Sequence, residues 1–123
     1  MKALVREVPV PQAVKEYVSR LILATRPSHD DAPEMVRRFV RYGSSPRGAQ
    51  ALVLGGKVGA LMDGRFNVSF DDVRAVAYAA LRHRLILSFE GEAEGIDPDR
   101  IIEDLLTRIS TQPGKPALLP QGL

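Results

Sequence analysis

Residues Gly43–Gly48, "GSSPRG", carry the spacing in this sequence that most suggests binding chemistry. Two serines, a proline and an arginine read as a helix start, with Ser45 at the N-cap and Pro46 at the first helical position. A helix start exposes N–H groups that lack intrahelical acceptors, and the aligned peptide dipoles put a partial positive charge there. Arg47 adds a full cation to that first turn. The placement is disfavoured by about 0.3–1 kcal/mol, unless an anion binds and reverses the sign. Free amides, a serine hydroxyl and a forked guanidinium would then converge on one point, an arrangement suited to phosphate. Ser45 and Arg47 are the candidate ligands. The structural alternative is a long arginine that extends into water at little cost.

Other catalytic signatures are absent. No G-x-x-x-x-G-K-[ST] phosphate loop occurs, and "LGGKVG" lies inside an apolar helical pattern whose amides the helix itself uses. There is no H-E-x-x-H motif and no cysteine, so thiolate chemistry and disulfides are excluded. His29, Asp30 and Asp31 read as a loop with local turn hydrogen bonds. His83 lies between Arg82 and Arg84, where neighbouring cations oppose a metal, so no metal site is expected. The acidic pair in "SFDDV" serves helix capping, and "FEGEAEG" reads as an acidic loop. The sequence contains no self-contained active site.

The elements that must position Arg47 are helical. An apolar stripe of Val10, Val14, Tyr17, Val18, Leu21, Ile22 and Thr25 predicts a helix from about Pro11 to Arg26. A short helix follows near Pro33 to Arg41, with Met35, Val36, Phe39 and Val40 inward and Arg37, Arg38 and Arg41 outward. The third helix starts at Pro46 and runs to about Met62, with Gly64 as its C-terminal cap. Gly55 and Gly56 cost it about 1 kcal/mol each and imply close approach of another helix. Phe66 to Val68 are expected to form a very short β pairing. Ser69 and Asp72 form a capping box for the fourth helix, and Asp97 with Pro98 opens the fifth. The fold class is therefore all-α, a compact bundle of about five helices around one core. Residues 1–110 form the domain, and the proline- and glycine-rich residues 111–123 form a flexible C-terminal tail.

The bulk properties agree with one ordinary domain. The chain has 123 residues and a net charge of +2, with no apolar run near the roughly 18 residues of a membrane span. No membrane partner and a cytoplasmic location are expected. The arginines of "VRRFVRYGSSPRG" make a local basic patch, so a helical nucleic-acid-binding module is one alternative and a protein-interaction module another. Against the former, the third-helix start lacks the Asn, Gln and Arg set that reads base edges, and the net charge is modest.

The ordered set G-x-S-P-R, then "DGR", "DDV" and "HR", resembles the C-terminal lid subdomain of the MoxR branch of AAA+ ATPases, a lid related to that of magnesium-chelatase ATPases. "VPVPQAVKEYVSRLILATRP" resembles the first lid helix of that family, ending in its typical Thr-Arg pair. The resemblance spans about Val8 to Ile109. It implies an AAA+ lid fold and a "sensor 2" arginine, carried onto Arg47, as the catalytic residue that contacts the terminal phosphate of ATP. The resemblance carries a role onto Arg47 only; Ser45 joins it as a nucleotide-binding candidate through the helix-start reading. ATP and Mg2+ would be held chiefly by a large nucleotide-binding domain of the same polypeptide, whose phosphate loop, Walker B acid and arginine finger have no match here. The resemblance further implies neighbouring subunits of a hexamer and a client protein. The isolated chain is expected neither to hydrolyse ATP nor to bind it tightly. His83 and Arg84 would either meet a neighbouring subunit or stabilise their own helix end.

Overall fold

The computed structural model describes residues 8–109; the expected tail, residues 111–123, lies outside them. Among the described residues, six helices and two very short strands follow one another: α1 (Gln12–Ala24), α2 (Glu34–Phe39), β1 (Val40–Tyr42), α3 (Pro46–Met62), α4 (Phe70–Leu81), β2 (Ile86–Leu87), α5 (Phe89–Ala93) and α6 (Pro98–Arg108). The longer helices each bury one stripe. Tyr17 and Leu21 of α1, Leu52 of α3, Val73 and Ala77 of α4, and Ile101, Ile102 and Leu105 of α6 are fully enclosed. The architecture is all-helical, with one small antiparallel sheet added.

Packing of α3 on α4 explains the glycine pair. A Cβ on Gly55 would press on Val76, and one on Gly56 would meet Val68 at 3.0 Å. The α3 backbone therefore packs directly on the side chains of Val76 in α4 and of Val68 just before it. The α3–α4 corner is built from local signals. Gly64 takes φ +75°, and Arg65 N–H and Gly64 N–H donate to Ala60 and Leu61 carbonyls, a complete Schellman stop. Ser69 then accepts from the Asp72 amide while the Asp72 carboxylate accepts from the Ser69 amide, the reciprocal cap the sequence predicts. Arg65 closes the corner by donating from both terminal nitrogens to the Asp72 carboxylate and from Nε to Asp63 at 2.9 Å.

Three expectations are corrected. Residues 66–68 form no strand; Phe66 is exposed, and the Val68 amide donates to the Pro9 carbonyl at 3.2 Å. The strand pair lies instead between Val40–Tyr42 and Ile86–Leu87, with Val40 opposite Leu87 and Tyr42 opposite Ile86. The second helix accordingly stops at Phe39, and Arg41 sits in β1. "FEGEA" is a helical turn and not a loop: Ser88 caps α5, and Gly95 at φ +66° ends it. Gly91 is enclosed against the Phe39 carbonyl, a place without room for a Cβ.

Interhelical polar contacts tie the bundle across its layers. Arg74 of α4 donates to the Leu106 carbonyl at 2.8 Å, one of the last-turn carbonyls that α6 cannot satisfy itself, and to the Tyr17 hydroxyl at 3.3 Å. Burial pushes the Tyr17 phenol above its usual range, against the opposing effect of Arg74. Its ring meets Phe70 edge-on, centroids 5.4 Å apart. At the other end of α4, Arg82 grips Asp99 of α6 with two bonds of 2.7 and 2.9 Å and holds that carboxyl below the ordinary carboxylate range.

Candidate functional site: the Ser44–Arg47 turn

The chain leaves β1 at Tyr42 and enters α3 at Pro46, so the turn between them is held at both ends. Ser45 has extended backbone angles, and its hydroxyl accepts from the Arg47 amide at 3.3 Å. Pro46 occupies the first helical position, where its missing N–H costs nothing. The local geometry is that of the expected helix start, and Ser45 and Arg47 lie together at its tip.

Arg47 is exposed, and among the described residues no hydrogen bond or ion pair engages its guanidinium. Its neighbours in the basic patch differ. Arg37 donates to the backbone carbonyls of His29, Asp30 and Ala32. Arg38 of α2 pairs with Glu90 of α5 at 2.6 Å and with its C-cap Glu94 at 3.3 Å, which raises its already high pKa. Arg41 stacks on the ring of Tyr42. Most of the apparent basic patch is therefore committed within the fold.

The histidines and Arg84 singled out in the sequence lie elsewhere. The His29 ring nitrogen Nδ1 accepts from the Asp31 amide at 3.1 Å, a local turn. His83 and Arg84 lie exposed just beyond α4, and Arg84 donates to the Ala80 carbonyl at 3.2 Å, closing its own helix end. Neither approaches Arg47 through any described contact.

What the sequence did not reveal is the support beneath the turn. Thr25, the C-cap of α1, is fully buried. Its hydroxyl accepts the Ser44 amide at 2.9 Å and donates to the Ile22 carbonyl at 2.6 Å. Arg26 adds a longer bond, 3.4 Å, from Nε to the Ser44 carbonyl. Ser44 is itself buried, with its hydroxyl donating to the Ser45 carbonyl at 2.9 Å. The adjacent glycines are fitted to this joint: a Cβ on Gly43 would overlap Thr25, and one on Gly48 would overlap the Ser44 hydroxyl.

Below Arg47 the outward face of α3 changes character. Positions 47, 50, 54, 58 and 62 recur at steps of three and four and share one face. Leu54, Val58 and Met62 are 56%, 38% and 82% exposed, so a cation heads an apolar ridge. Gln50 and Leu54 also border a shallow groove against Val18 and Ser19 of α1. No described helix is long and apolar enough to cross a membrane.

Comparison with known proteins places this geometry. Residues 32–105 match the AAA lid domain family. Chaperone MoxR1 of Mycobacterium tuberculosis is 33% identical over 101 residues, covering 82% of this chain and 27% of that protein. Protein MoxR of Paracoccus denitrificans is 41% identical over 63 residues, half of this chain and 19% of that one. A crystal structure from Cytophaga hutchinsonii, described as a candidate ATPase, superposes with TM-score 0.84 at 33% identity, over 89% of this chain and 33% of its own. The chain thus spans about a third or less of the length of the proteins it matches. With the helix order, the Ser-Pro-Arg turn and the paired strands all in view, the chain belongs to the AAA lid domain family, in the MoxR branch of AAA+ ATPases.

Proposed function

We propose that this lid acts as a sensor 2 element: Arg47 meets the terminal phosphate of ATP held on a large nucleotide-binding domain of the same polypeptide. The observation that carries the reading is the Arg47 guanidinium, exposed and without a described partner at a capped helix start. Electrostatics disfavour it there until an anion arrives. The residues present suit a phosphate group, since Ser45 and the first-turn amides flank the cation. They do not suit Mg2+, because the Arg47 guanidinium is a cation that supplies no oxygen ligand. The metal and most of ATP would be held by the large domain.

In this reading Arg47 neutralises charge on the phosphoryl group as it is transferred to water. Once that group departs, the lid loses one of its tethers and turns relative to the large domain. The apolar ridge of Leu54, Val58 and Met62 continues from Arg47 on the same face, as expected of a surface that another domain covers. Subunits of a cytoplasmic ring, of hexameric type, would use the motion to remodel a client protein, in keeping with the chaperone name of one relative. The nucleic-acid reading loses support because Arg37 and Arg38 are spent on internal partners.

The test is Arg47→Ala in the full-length ATPase that carries this lid. Turnover should fall by about 10²–10³. Wild-type turnover would remove the sensor role.

A further inference from the structure

We infer that Thr25 is a positioning residue for Arg47, acting through the backbone of Ser44. The inference rests on the sensor reading and adds to it the part of the fold that aims the guanidinium.

Three observations converge on the same joint. First, the Thr25 hydroxyl is used in both directions: it accepts the Ser44 N–H at 2.9 Å and donates to the Ile22 carbonyl at 2.6 Å. A hydroxyl with both functions taken has no rotational freedom left, so its position dictates that of the Ser44 amide. Second, Thr25 and Ser44 are buried, 0% and 1% exposed, so no water substitutes for either bond. Third, the flanking glycines remove all slack. Gly43 lies against the Thr25 backbone and hydroxyl, and Gly48 lies against the Ser44 side chain with Ile22 Cδ1 next to it. The C-terminal turn of α1 and the N-terminal turn of α3 are thus one rigid piece.

Arg47 leaves that piece three residues after Ser44 and one after Pro46, whose ring fixes its own φ. The direction of the arginine stem is therefore inherited from the Ser44 backbone. A misplacement of about 1 Å at a group that meets the reacting phosphoryl costs up to a hundredfold in rate. Threonine supplies the hydroxyl that valine, of nearly the same shape, lacks.

The experiment compares Thr25→Val, Thr25→Ser, Arg47→Ala and the double variant Thr25→Val/Arg47→Ala in the full-length ATPase. Thr25→Val should lower kcat by about tenfold while KM for ATP moves less than about twofold. Thr25→Ser, which keeps the hydroxyl, should restore kcat to within about twofold of wild type. The double variant should be no slower than Arg47→Ala alone, since a misaimed side chain no longer matters once it is gone. A general loosening of the fold would instead slow the Arg47→Ala enzyme further. If valine does not yield a folded enzyme, Thr25→Ala carries the same comparison. Wild-type kcat in the valine or alanine variant beside a slow Arg47→Ala overturns the positioning role alone, as do additive losses in the double variant. Wild-type turnover in Arg47→Ala overturns the sensor reading and this inference with it.

Discussion

Arg65 and Asp72 face each other across the corner between α3 and α4, the guanidinium donating from both terminal nitrogens to the two carboxylate oxygens. Asp72 is also the third helical residue of α4 and accepts the Ser69 amide at 2.8 Å. One carboxylate thus closes a loop and caps a helix. The Arg65 bonds, aided by Ser69, hold its pKa below the ordinary aspartate value in spite of burial.

The sign of the resulting pH dependence follows. A carboxylate whose folded pKa is depressed contributes stability above its unfolded pKa, about 3.9, and loses it as pH falls below that through the folded value. Asp72→Asn should therefore cost about 1–3 kcal/mol at pH 7. Its urea midpoint should converge on that of the parent as pH drops below the unfolded value. Parallel acid limbs for the two proteins would show that Asp72 is not the titrating group.

Arg47 should behave oppositely. Nothing among the described residues engages its guanidinium, and the helix dipole disfavours it. Arg47→Ala in the isolated chain should leave stability unchanged or raise it by up to about 1 kcal/mol. A lowered thermal midpoint would reveal a structural task for this side chain.

Removing the Thr25 hydroxyl leaves the buried Ser44 N–H without an acceptor. Thr25→Val should destabilise the chain by about 1–3 kcal/mol in denaturant unfolding, and Thr25→Ser by less. In hydrogen exchange the Ser44 amide should lose protection in the valine variant. An amide that remains as protected as before would break the link.

The start of α6 offers a check independent of the site. Asp97 accepts the Asp99 amide at 2.9 Å and precedes Pro98. Asp97→Ala should cost about 0.5–2 kcal/mol, read as a shift in the melting curve. An unmoved curve would remove this cap from the account of α6.

The features legible in the sequence were those written within a few residues. The α3 start from Ser45 and Pro46, the α3 stop at Gly64, the Ser69–Asp72 box and the Asp97 cap each depend on a local pattern, and all are present. The strands were missed because three and two residues are too few for an alternating pattern to show. Their pairing joins positions more than forty residues apart, which no local rule anticipates. In "FEGEA" the acidic content suggested a loop, yet Ser88, whose hydroxyl donates to the Arg38 carbonyl, starts a turn of helix there. The candidate ligands Ser45 and Arg47 were found by type and spacing. Their support was not: Thr25 read as part of an apolar stripe and of a family-like Thr-Arg pair, and it meets Ser44 across nineteen residues.

The fused α1–α3 joint also turns helix α1 into a lever. Its thirteen residues span about 20 Å, at about 1.5 Å per residue. Tilting it about its first turn by about 10° sweeps its far end through roughly 3.5 Å, given that length. That displacement separates a guanidinium in contact with an oxygen from one beyond reach of it. Because a Cβ has no room at Gly43 or Gly48, the end of α1 and the start of α3 would share any such displacement.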